Sequence, residues 1–237
     1  IPAASQEKLF LLREYLFFGG LPEVVLADRA KKHLVVDEYY KTFLSRDIFE
    51  RYHPRQKEAF KAMVRLLLNS SYITIGKLTN SLKSLGFRIG KSTVSSYLTY
   101  VQGSFFLNLM EIHKPSVKDR IQHPKKVYFI DNFFLSRLST SFSQNLGKLM
   151  ENTVAQQLIS SLSKQPFRQI YYWKDYYQHE VDFVIMEDFK VKELIQVTYA
   201  ESAIDIQERE IKSLLKAKKE LNWEPKIPLN EGLDKTI

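Results

Sequence analysis

The sequence predicts an α+β protein in which a short helical segment is followed by two different modules. Apolar residues recur at helical spacing through most of the chain up to about residue 105, and strand-like apolar runs alternate with helices after residue 145. At 237 residues the chain is long enough for two small domains. We therefore expect a helical remnant over residues 1–36, a second module over 37–138 and an α/β module with a mixed sheet over 139–237.

Composition excludes several kinds of site and predicts where the protein is located. Cysteine is absent, which excludes disulfides, thiolate zinc sites and cysteine nucleophiles. The apolar runs are too short to span a bilayer, and the N-terminus lacks the pattern of a signal peptide. These features predict a soluble, cytoplasmic protein without a membrane partner.

The opening helices are predicted to stop at Gly19-Gly20-Leu21-Pro22 and then to resume as far as about Pro54. This opening is too small and too helical to enclose a core of its own. It is expected to complete a domain whose earlier part lies upstream of Ile1.

The middle of the chain has the order of a helix-turn-helix. Residues 56–69 predict an amphipathic helix, and a second helix is expected between a cap at Thr74 and a stop at Gly86. After a four-residue turn, Ser92 or Thr93 is expected to cap a third helix.

Two predicted strands, 106–112 and 127–130, then flank a polar loop that suits a β-hairpin wing. Helix, helix, turn, helix and hairpin together predict a winged helix. In such a module the third helix enters the DNA major groove.

Charge favours a polyanionic partner for this module. Residues 77–126 contain nine Lys or Arg and two acids, a net charge of +7 within a chain of +8. The predicted DNA contacts lie on the third helix, the turn before it and the wing: Lys77, Arg88, Lys91, Ser92, Thr93, Ser95, Ser96, Lys114, Lys118 and Arg120. Two alternatives stay open, a solvated basic face without a partner and a winged helix that binds protein.

One motif near this turn is misleading. Residues 86–92 read GFRIGKS, which is one residue short of the phosphate-binding consensus and follows a helix where that loop needs a strand. Nucleotide binding at Lys91 is therefore not expected, and neither is ATPase activity by this chain alone.

The last third predicts an α/β arrangement, with a helix over about 148–163, strands at 169–173, 180–186 and 193–199, and a final helix over 204–221. A polar linker from Ser139 separates this module from the previous one, and a tail with little periodicity follows it.

Polar residues inside two of these strands form the candidate site of the α/β module. Asp182, Gln196 and Thr198 interrupt apolar runs, where an unpaired polar group costs about 1–3 kcal/mol. Glu151 on the preceding helix can add a second carboxylate. Asp182, Glu151 and Gln196 carry the hard oxygen ligands that hold Mg²⁺ beside a phosphate. The alternative is a set of buried polar groups that satisfy one another.

The chain resembles the C-terminal part of a family of archaeal and bacterial AAA+ ATPases. The resemblance extends to about Leu221 and rests on these stretches: FFGGLPEVV, YYKTFLSRDI, TVSSYLTYV, HPKKVYFID, GKLMENTVAQQL, IYYWKD, HEVDFVI, ELIQVTY and REIKSLLKA. It implies the end of a helical lid, a winged helix and a domain related to the PD-(D/E)xK restriction-endonuclease fold. It also implies that ATP is bound only by a core belonging to the full-length protein.

The resemblance further implies nuclease roles for four positions. Glu151 corresponds to the helix acid and Asp182 to the strand aspartate, while Gln196 takes the (D/E) position and Thr198 the position of the lysine. Gln196 keeps a coordinating oxygen, but Thr198 cannot replace an ammonium that neutralises developing charge. A lysine from elsewhere could restore that charge; the candidates are Lys148, Lys174 and Lys192.

Two weaker patterns lie in the same module. His179 with Glu180 and Asp182 suggests a transition-metal site, although a single histidine without cysteine is poor support for one. An aromatic run could stack on unpaired bases, but packing within a strand is the favoured interpretation; it comprises Tyr171, Tyr172, Trp173, Tyr176 and Tyr177.

The sequence thus predicts a DNA-binding or partner-docking region of an AAA+ ATPase, with a nuclease-like domain that has lost catalysis. The alternatives are an active Mg²⁺-dependent nuclease, a protein–protein assembly module, and a complete ATPase read from a fragment. The expected partners are DNA and the ATPase core, and a homo-oligomer is left open. No cofactor is expected in this chain, with Mg²⁺ at the nuclease-like site as the exception to be tested.

Overall fold

The structure is a computed structural model that describes residues 3–140, 145–162, 164–165, 167–200, 206 and 208–225. It confirms the α+β class. The chain divides into two compact units, the first formed by Ile1–Leu109 with Pro124–Gln156 and the second by Met110–His123 with Gln157–Ile237. The helices within the described ranges are all too short or too polar to cross a membrane.

The described residues form ten α-helices, in chain order α1 (Ala3–Phe18), α2 (Pro22–Leu26), α3 (Lys32–Thr42), α4 (Lys57–Leu68), α5 (Ile75–Ser84), α6 (Lys91–Gly103), α7 (Val117–Gln122), α8 (Asn132–Leu138), α9 (Leu146–Leu162) and α10 (Glu208–Glu220). A π-helical segment, Phe43–Glu50, continues α3. The strands are β1 (Tyr72–Ile73), β2 (Leu107–Met110), β3 (Lys125–Phe129), β4 (Arg168–Lys174), β5 (Glu180–Glu187) and β6 (Lys190–Ile195).

The predicted stop after α1 is confirmed, and a buried carboxylate explains it. Gly19 has φ +68°, and the Asp131 side chain occupies the place where a Cβ of Gly19 would lie. Asp131 Oδ2 accepts the backbone N–H of Gly20 at 2.8 Å, while Oδ1 caps α8 by accepting the N–H of Phe133 at 2.8 Å. Burial raises the pKa of Asp131, and these backbone hydrogen bonds oppose that rise. One side chain therefore joins the turn after α1 to the start of α8.

The middle of the first unit runs α4, β1, α5, α6, β2 and β3, with the strands in the order β1-β3-β2. The predicted cap at Thr74 is confirmed, because its hydroxyl accepts the N–H of Lys77 at 3.0 Å. The expected cap at Ser92 or Thr93 is wrong. The third helix, α6, already begins at Lys91, because extended Gly90 precedes it and the Gly90 carbonyl accepts the first intrahelical bond.

The polar segment between β2 and β3 is not the open hairpin loop expected from the sequence. It contains α7, and the Ser116 hydroxyl accepts the N–H of Asp119 at its N-terminus. Before α7 the chain pairs with β4, since Tyr172 N–H donates to Glu111 O and His113 N–H donates to Tyr172 O. Those backbone bonds place Met110–His123 in the second unit.

The second unit is built on the sheet β4-β5-β6, with α10 packed against β5. The expected mixed sheet is wrong for its three strands, which pair antiparallel because short hairpins join them. The third strand is also shorter than the predicted 193–199, since β6 ends at Ile195. The core of the second unit contains Trp173, Val181, Val184 and Ala217.

Three expectations fall partly or wholly outside the described residues. They concern the linker after Ser139 over residues 141–144, the start of the last helix over 201–205, and the tail over 226–237.

Replacing Gly19 by alanine is expected to lower the free energy of unfolding of the first unit by more than about 2 kcal/mol. Backbone strain at positive φ costs about 1–2 kcal/mol, and the new Cβ also displaces Asp131 from the bonds that it accepts. Gly86→Ala is the matched control. Gly86 also has a positive φ, +89°, but a Cβ there would meet no surrounding side chain or backbone within 4 Å. Urea unfolding followed by far-ultraviolet circular dichroism measures both, and equal losses would contradict the role given to Asp131.

Candidate nucleic-acid interface and nuclease-like positions

The outer face of helix α6 carries mostly small side chains with hydroxyl groups. Val94, Tyr97, Leu98 and Val101 are buried, which fixes the opposite face of the helix toward solvent. That outer face carries exposed Lys91, Ser92 and Ser96, whereas Thr93 and Ser95 are half-buried at its sides.

Two hydroxyls of α6, those of Ser96 and Thr99, are engaged within the helix itself. Ser96 Oγ donates to Ser92 O and Thr99 Oγ1 donates to Ser95 O, both at 3.2 Å. Bonds of this kind to the preceding turn use the hydroxyl proton locally. The face therefore offers a close approach but few groups that point outward as donors.

Exposed cations lie on α5, on the turn after it and at the start of α6, in a stretch without acidic neighbours in the sequence. Lys77, Lys83, Arg88 and Lys91 are all exposed. Between Ala59 and Met110 the chain contains no Asp or Glu. This part of the first unit therefore carries positive charge that local carboxylates do not neutralise.

The cations predicted on the wing belong to the second unit, and Arg120 is engaged there. Arg120 Nη1 donates to Tyr171 Oη at 3.0 Å, and its guanidinium carbon lies 5.5 Å from the Tyr171 ring centroid. Lys118 is exposed and Lys114 is half-buried. Burial lowers the pKa of His113 beside them, and the charge of Arg120 lowers it further. Arg120 thus attaches α7 to β4.

Lys126, one of the nine cations of the basic segment, is buried with only 1% of its surface exposed. Its ammonium donates to Glu151 Oε1 at 2.9 Å, and Tyr128 Oη donates to the same oxygen at 2.9 Å. Lys148 Nζ binds the other oxygen, Oε2, at 2.9 Å. This buried cluster of Lys126, Tyr128, Lys148 and Glu151, the ion-pair cluster, joins β3 to α9.

Charge within the ion-pair cluster keeps Glu151 ionised. Burial acts to raise the pKa of Glu151, but the ammonium groups of Lys126 and Lys148 lower it to about 2. The cavity beside the carboxylate has a volume of about 20 Å³, which is room for about one water molecule. The two ammonium groups supply the positive charge that a metal ion would bring to a nuclease carboxylate.

The other nuclease-like positions lie in the second unit. Asp182 is buried on β5, and its Oδ2 accepts the N–H of Val197 at 2.9 Å. Phe183 faces Ile195 in the β5–β6 register, so continuing that register by one residue sets Asp182 opposite Gln196. Gln196 Oε1 is buried and has no hydrogen-bond partner among the described residues.

Thr198 lies beyond the end of β6 and is half-buried. Strand pairing ends before it because the N–H of Val197 bonds the Asp182 side chain. Each lysine proposed to replace the missing ammonium lies beside a carboxylate other than Asp182. Lys148 pairs with Glu151, Lys174 with Glu180 at 3.1 Å, and Lys192 lies 3.8 Å from Glu187.

His179 pairs with Asp175 rather than with the carboxylates expected from the sequence, through Nδ1 and Oδ2 at 2.8 Å. Across the described part of the chain, no group of three or more histidine, aspartate or glutamate side chains could hold a metal ion.

Sequence reasoning missed the ion-pair cluster, although one signal for it was present. Lys126 and Tyr128 are two residues apart on a strand and so point to one face. A cation in step with apolar strand residues indicates a buried partner. The partner itself, Glu151, is 25 residues further on, and local patterns do not identify it.

Comparison with known proteins places the first unit in a family. A domain of unknown function, DUF8612, matches residues 9–145, more than half of the chain. The chain belongs to the DUF8612 family. A second domain of unknown function, DUF4143, matches residues 146–236 of this DUF8612 protein.

Two curated relatives have no described function. An uncharacterized protein of Methanocaldococcus jannaschii is 33% identical over 221 residues, which is 91% of this chain and 47% of that protein. An uncharacterized protein of Haemophilus influenzae is 23% identical over 159 residues, 65% of this chain and 40% of that protein. The chain therefore spans about half the length of these relatives. No solved structure matches it.

Replacing Lys126 by methionine is expected to destabilise the first unit by about 3–5 kcal/mol, because Glu151 keeps its charge in a buried site. The double variant Lys126→Met, Glu151→Gln is expected to recover much of that loss. Both tryptophans, Trp173 and Trp223, lie in the second unit. Hydrogen exchange of β3 amides is therefore the appropriate measurement.

Low pH is expected to remove the stabilisation that ionised Glu151 gives to the first unit. Because the pKa of Glu151 is lowered from 4.5 to about 2, its stabilisation is complete above about pH 4.5 and is lost as the pH falls toward 2. Glu151→Gln should flatten the unfolding free energy over that window. An unchanged pH profile in this variant would contradict the ion-pair cluster.

Proposed function

We propose that this chain is a sequence-independent DNA-binding region of a longer, AAA+-associated protein, and that its DUF4143 domain has lost nuclease activity. The observation that carries the proposal is the set of exposed cations on α5, on the turn after it and at the start of α6, in a stretch without acidic residues. Phosphate neutralisation with release of counterions is the interaction that such a surface favours.

The order of elements supports a winged-helix module in the first unit. A helix, a short strand, two helices and two further strands follow one another, and the strand after the first helix pairs with the last strand. In this arrangement α6 takes the place of the recognition helix, which lies in the major groove.

The chemistry of α6 favours contact with the DNA backbone over readout of bases. Discrimination between bases depends on bidentate donors and acceptors such as Arg, Asn and Gln. The outer face near the start of α6 instead carries Lys91 and serine hydroxyls, of which Ser96 already bonds within the helix. Lys91 is a point charge, and it suits phosphate.

The same reasoning separates Arg120 from the proposed interface. Its guanidinium is shared with Tyr171, so it positions α7 in the second unit. The exposed cations Lys77, Lys83, Arg88 and Lys91 carry the binding.

The loss of nuclease activity follows from the donors at the nuclease-like positions. Glu151 is neutralised by two lysines, and Thr198 supplies no positive charge. Asp182 and Gln196 retain two hard oxygens, which suit weak binding of hydrated Mg²⁺ but lack the ammonium that stabilises a phosphoryl transition state.

The proposed partner is an ATPase core in the remainder of the longer protein. The relatives are about twice as long as this chain, and DUF4143 domains are often found in AAA-ATPase-associated proteins. ATP would bind that remainder, since GFRIGKS in this chain follows α5 and runs into the start of α6, whereas a phosphate-binding loop follows a strand.

Replacing Lys91 or Arg88 by alanine is expected to weaken binding to every duplex by a similar factor. Each phosphate contact that is removed should reduce the slope of log K against log salt by about 0.9. Fluorescence anisotropy with two unrelated duplexes of equal length, between 50 and 200 mM salt, measures both quantities.

Arg120→Ala and Lys31→Ala are the controls, since Arg120 is shared with Tyr171 and Lys31 pairs with Asp28 at 3.6 Å. Neither should change the slope. A protein that binds no duplex at low salt, or binds equally well without Lys91 and Arg88, would leave an assembly module as the better proposal.

Plasmid incubated with the protein and Mg²⁺ or Mn²⁺ is expected to stay intact. Restoring the family lysine by Thr198→Lys should not create activity while Lys126 and Lys148 neutralise Glu151. Cleavage by the wild-type protein that disappears in Asp182→Ala would show an active nuclease instead.

A further inference from the structure

Two tyrosines form the tip of the hairpin between β4 and β5. Tyr176 is 91% exposed and Tyr177 is 74% exposed, whereas Tyr172 and Trp173 in the preceding strand are each 1% exposed. The aromatic run of the sequence therefore contains two groups of residues in different environments. Its strand residues build the core of the second unit, and its tip residues face solvent.

The backbone of this tip is held at both ends. Asp175 N–H donates to His179 O at 3.0 Å, and Gln178 N–H donates to Asp175 O at 3.3 Å. Gln178 takes the left-handed conformation, with φ +69°, which closes the turn. The two tyrosines thus occupy the centre of a short, hydrogen-bonded turn.

The Asp175 carboxylate adds a clamp from side chains. Oδ1 accepts the backbone N–H of His179 at 2.9 Å, while Oδ2 accepts His179 Nδ1 at 2.8 Å and Lys216 Nζ from α10 at 2.5 Å. Burial acts to raise the pKa of Asp175, but the hydrogen bonds from Lys216 and His179 lower it to about 2. The Asp175 carboxylate is therefore charged at neutral pH, and it ties the ends of the turn to each other and to α10.

The two rings offer flat π surfaces to solvent. Their centroids are 5.7 Å apart and their planes meet at 86°. Lys216 Nζ lies 4.5 Å from the Tyr177 centroid, on one face of that ring. Planar ligands are the natural occupants of such surfaces, and a base that is free of its pairing partner is one of them.

We propose that Tyr176 and Tyr177 stack on unpaired bases of a nucleic acid. The inference rests on the proposed function, because it takes the basic surface of the first unit as the part that holds the phosphates. The substrate class then includes nucleic acid with an unpaired stretch.

Charge beside the tip gives this contact a distinct signature. Lys216 is paired with Asp175, and Lys174 is paired with Glu180. Since these cations already have carboxylate partners, the tip adds stacking without adding phosphate neutralisation. Its contribution to affinity should therefore be independent of salt, unlike that of Lys91.

The test compares two probes, a blunt duplex and an unpaired oligonucleotide of the same length. Tyr176→Ala combined with Tyr177→Ala is expected to weaken binding of the unpaired probe by roughly tenfold, by the same factor at 50 and 200 mM salt. Binding of the blunt duplex should not change. Phe189→Ala is the matched control, because Phe189 is a 98% exposed aromatic residue on the neighbouring hairpin.

The outcomes separate this proposal from the proposed function. Duplex binding that depends on Lys91, with unpaired binding that does not depend on the tyrosines, overturns the stacking tip alone. Tyrosine-dependent binding of the unpaired probe without duplex binding supports the tip and overturns the basic surface. A change in molecular mass by light scattering in the tyrosine variant, with no effect on either probe, assigns the tip to self-association and overturns stacking.

Discussion

The buried pairing of Lys126 with Glu151 is the interaction on which the functional interpretation of this protein depends. In this one contact a cation of the basic segment, Lys126, is paired with a carboxylate of the nuclease-like positions, Glu151. Neither charge is then available on the surface. Charges taken out of water need partners of opposite sign, and here two lysines and a tyrosine satisfy both oxygens of one glutamate. A carboxylate with these partners contributes to the attachment of α9 on β3.

The next residue extends the same attachment through neutral groups. Asn152 Oδ1 accepts the N–H of Phe129 at 2.8 Å, and its Nδ2 donates to Phe129 O at 3.1 Å. The side-chain amide thus completes the hydrogen bonding of the end of β3 as another strand would. Glu151 and Asn152 are adjacent, so one turn of α9 supplies both the ionic and the neutral partners of a single strand.

Positive charge is distributed unevenly between the two units. The first unit contains 20 Lys or Arg and 11 Asp or Glu, whereas the second contains 15 and 16. Under the proposed function, long-range attraction of a polyanion would therefore come from the first unit. In the second unit many cations have carboxylate partners, so its contacts with a nucleic acid would be short-range and geometric.

Much of the fold follows from local patterns. Glycine at positive φ, the Thr74 cap and the spacing of buried residues on α4 and α6 are local requirements of the backbone, and they indicated the helices of the first unit. Likewise, alternation and apolar runs located β4 and β5, because strand propensity reflects burial against neighbours on one sheet.

What the sequence by itself determined is the α+β class and the excess of cations, since these depend on composition and on contacts only a few residues apart. Tertiary structure decided which charges are available. Lys126 and Arg120 look like free surface cations in the sequence, yet their partners Glu151 and Tyr171 lie 25 and 51 residues away along the chain. Pairing across such separations depends on how helices and strands pack, and no periodicity of the chain encodes it.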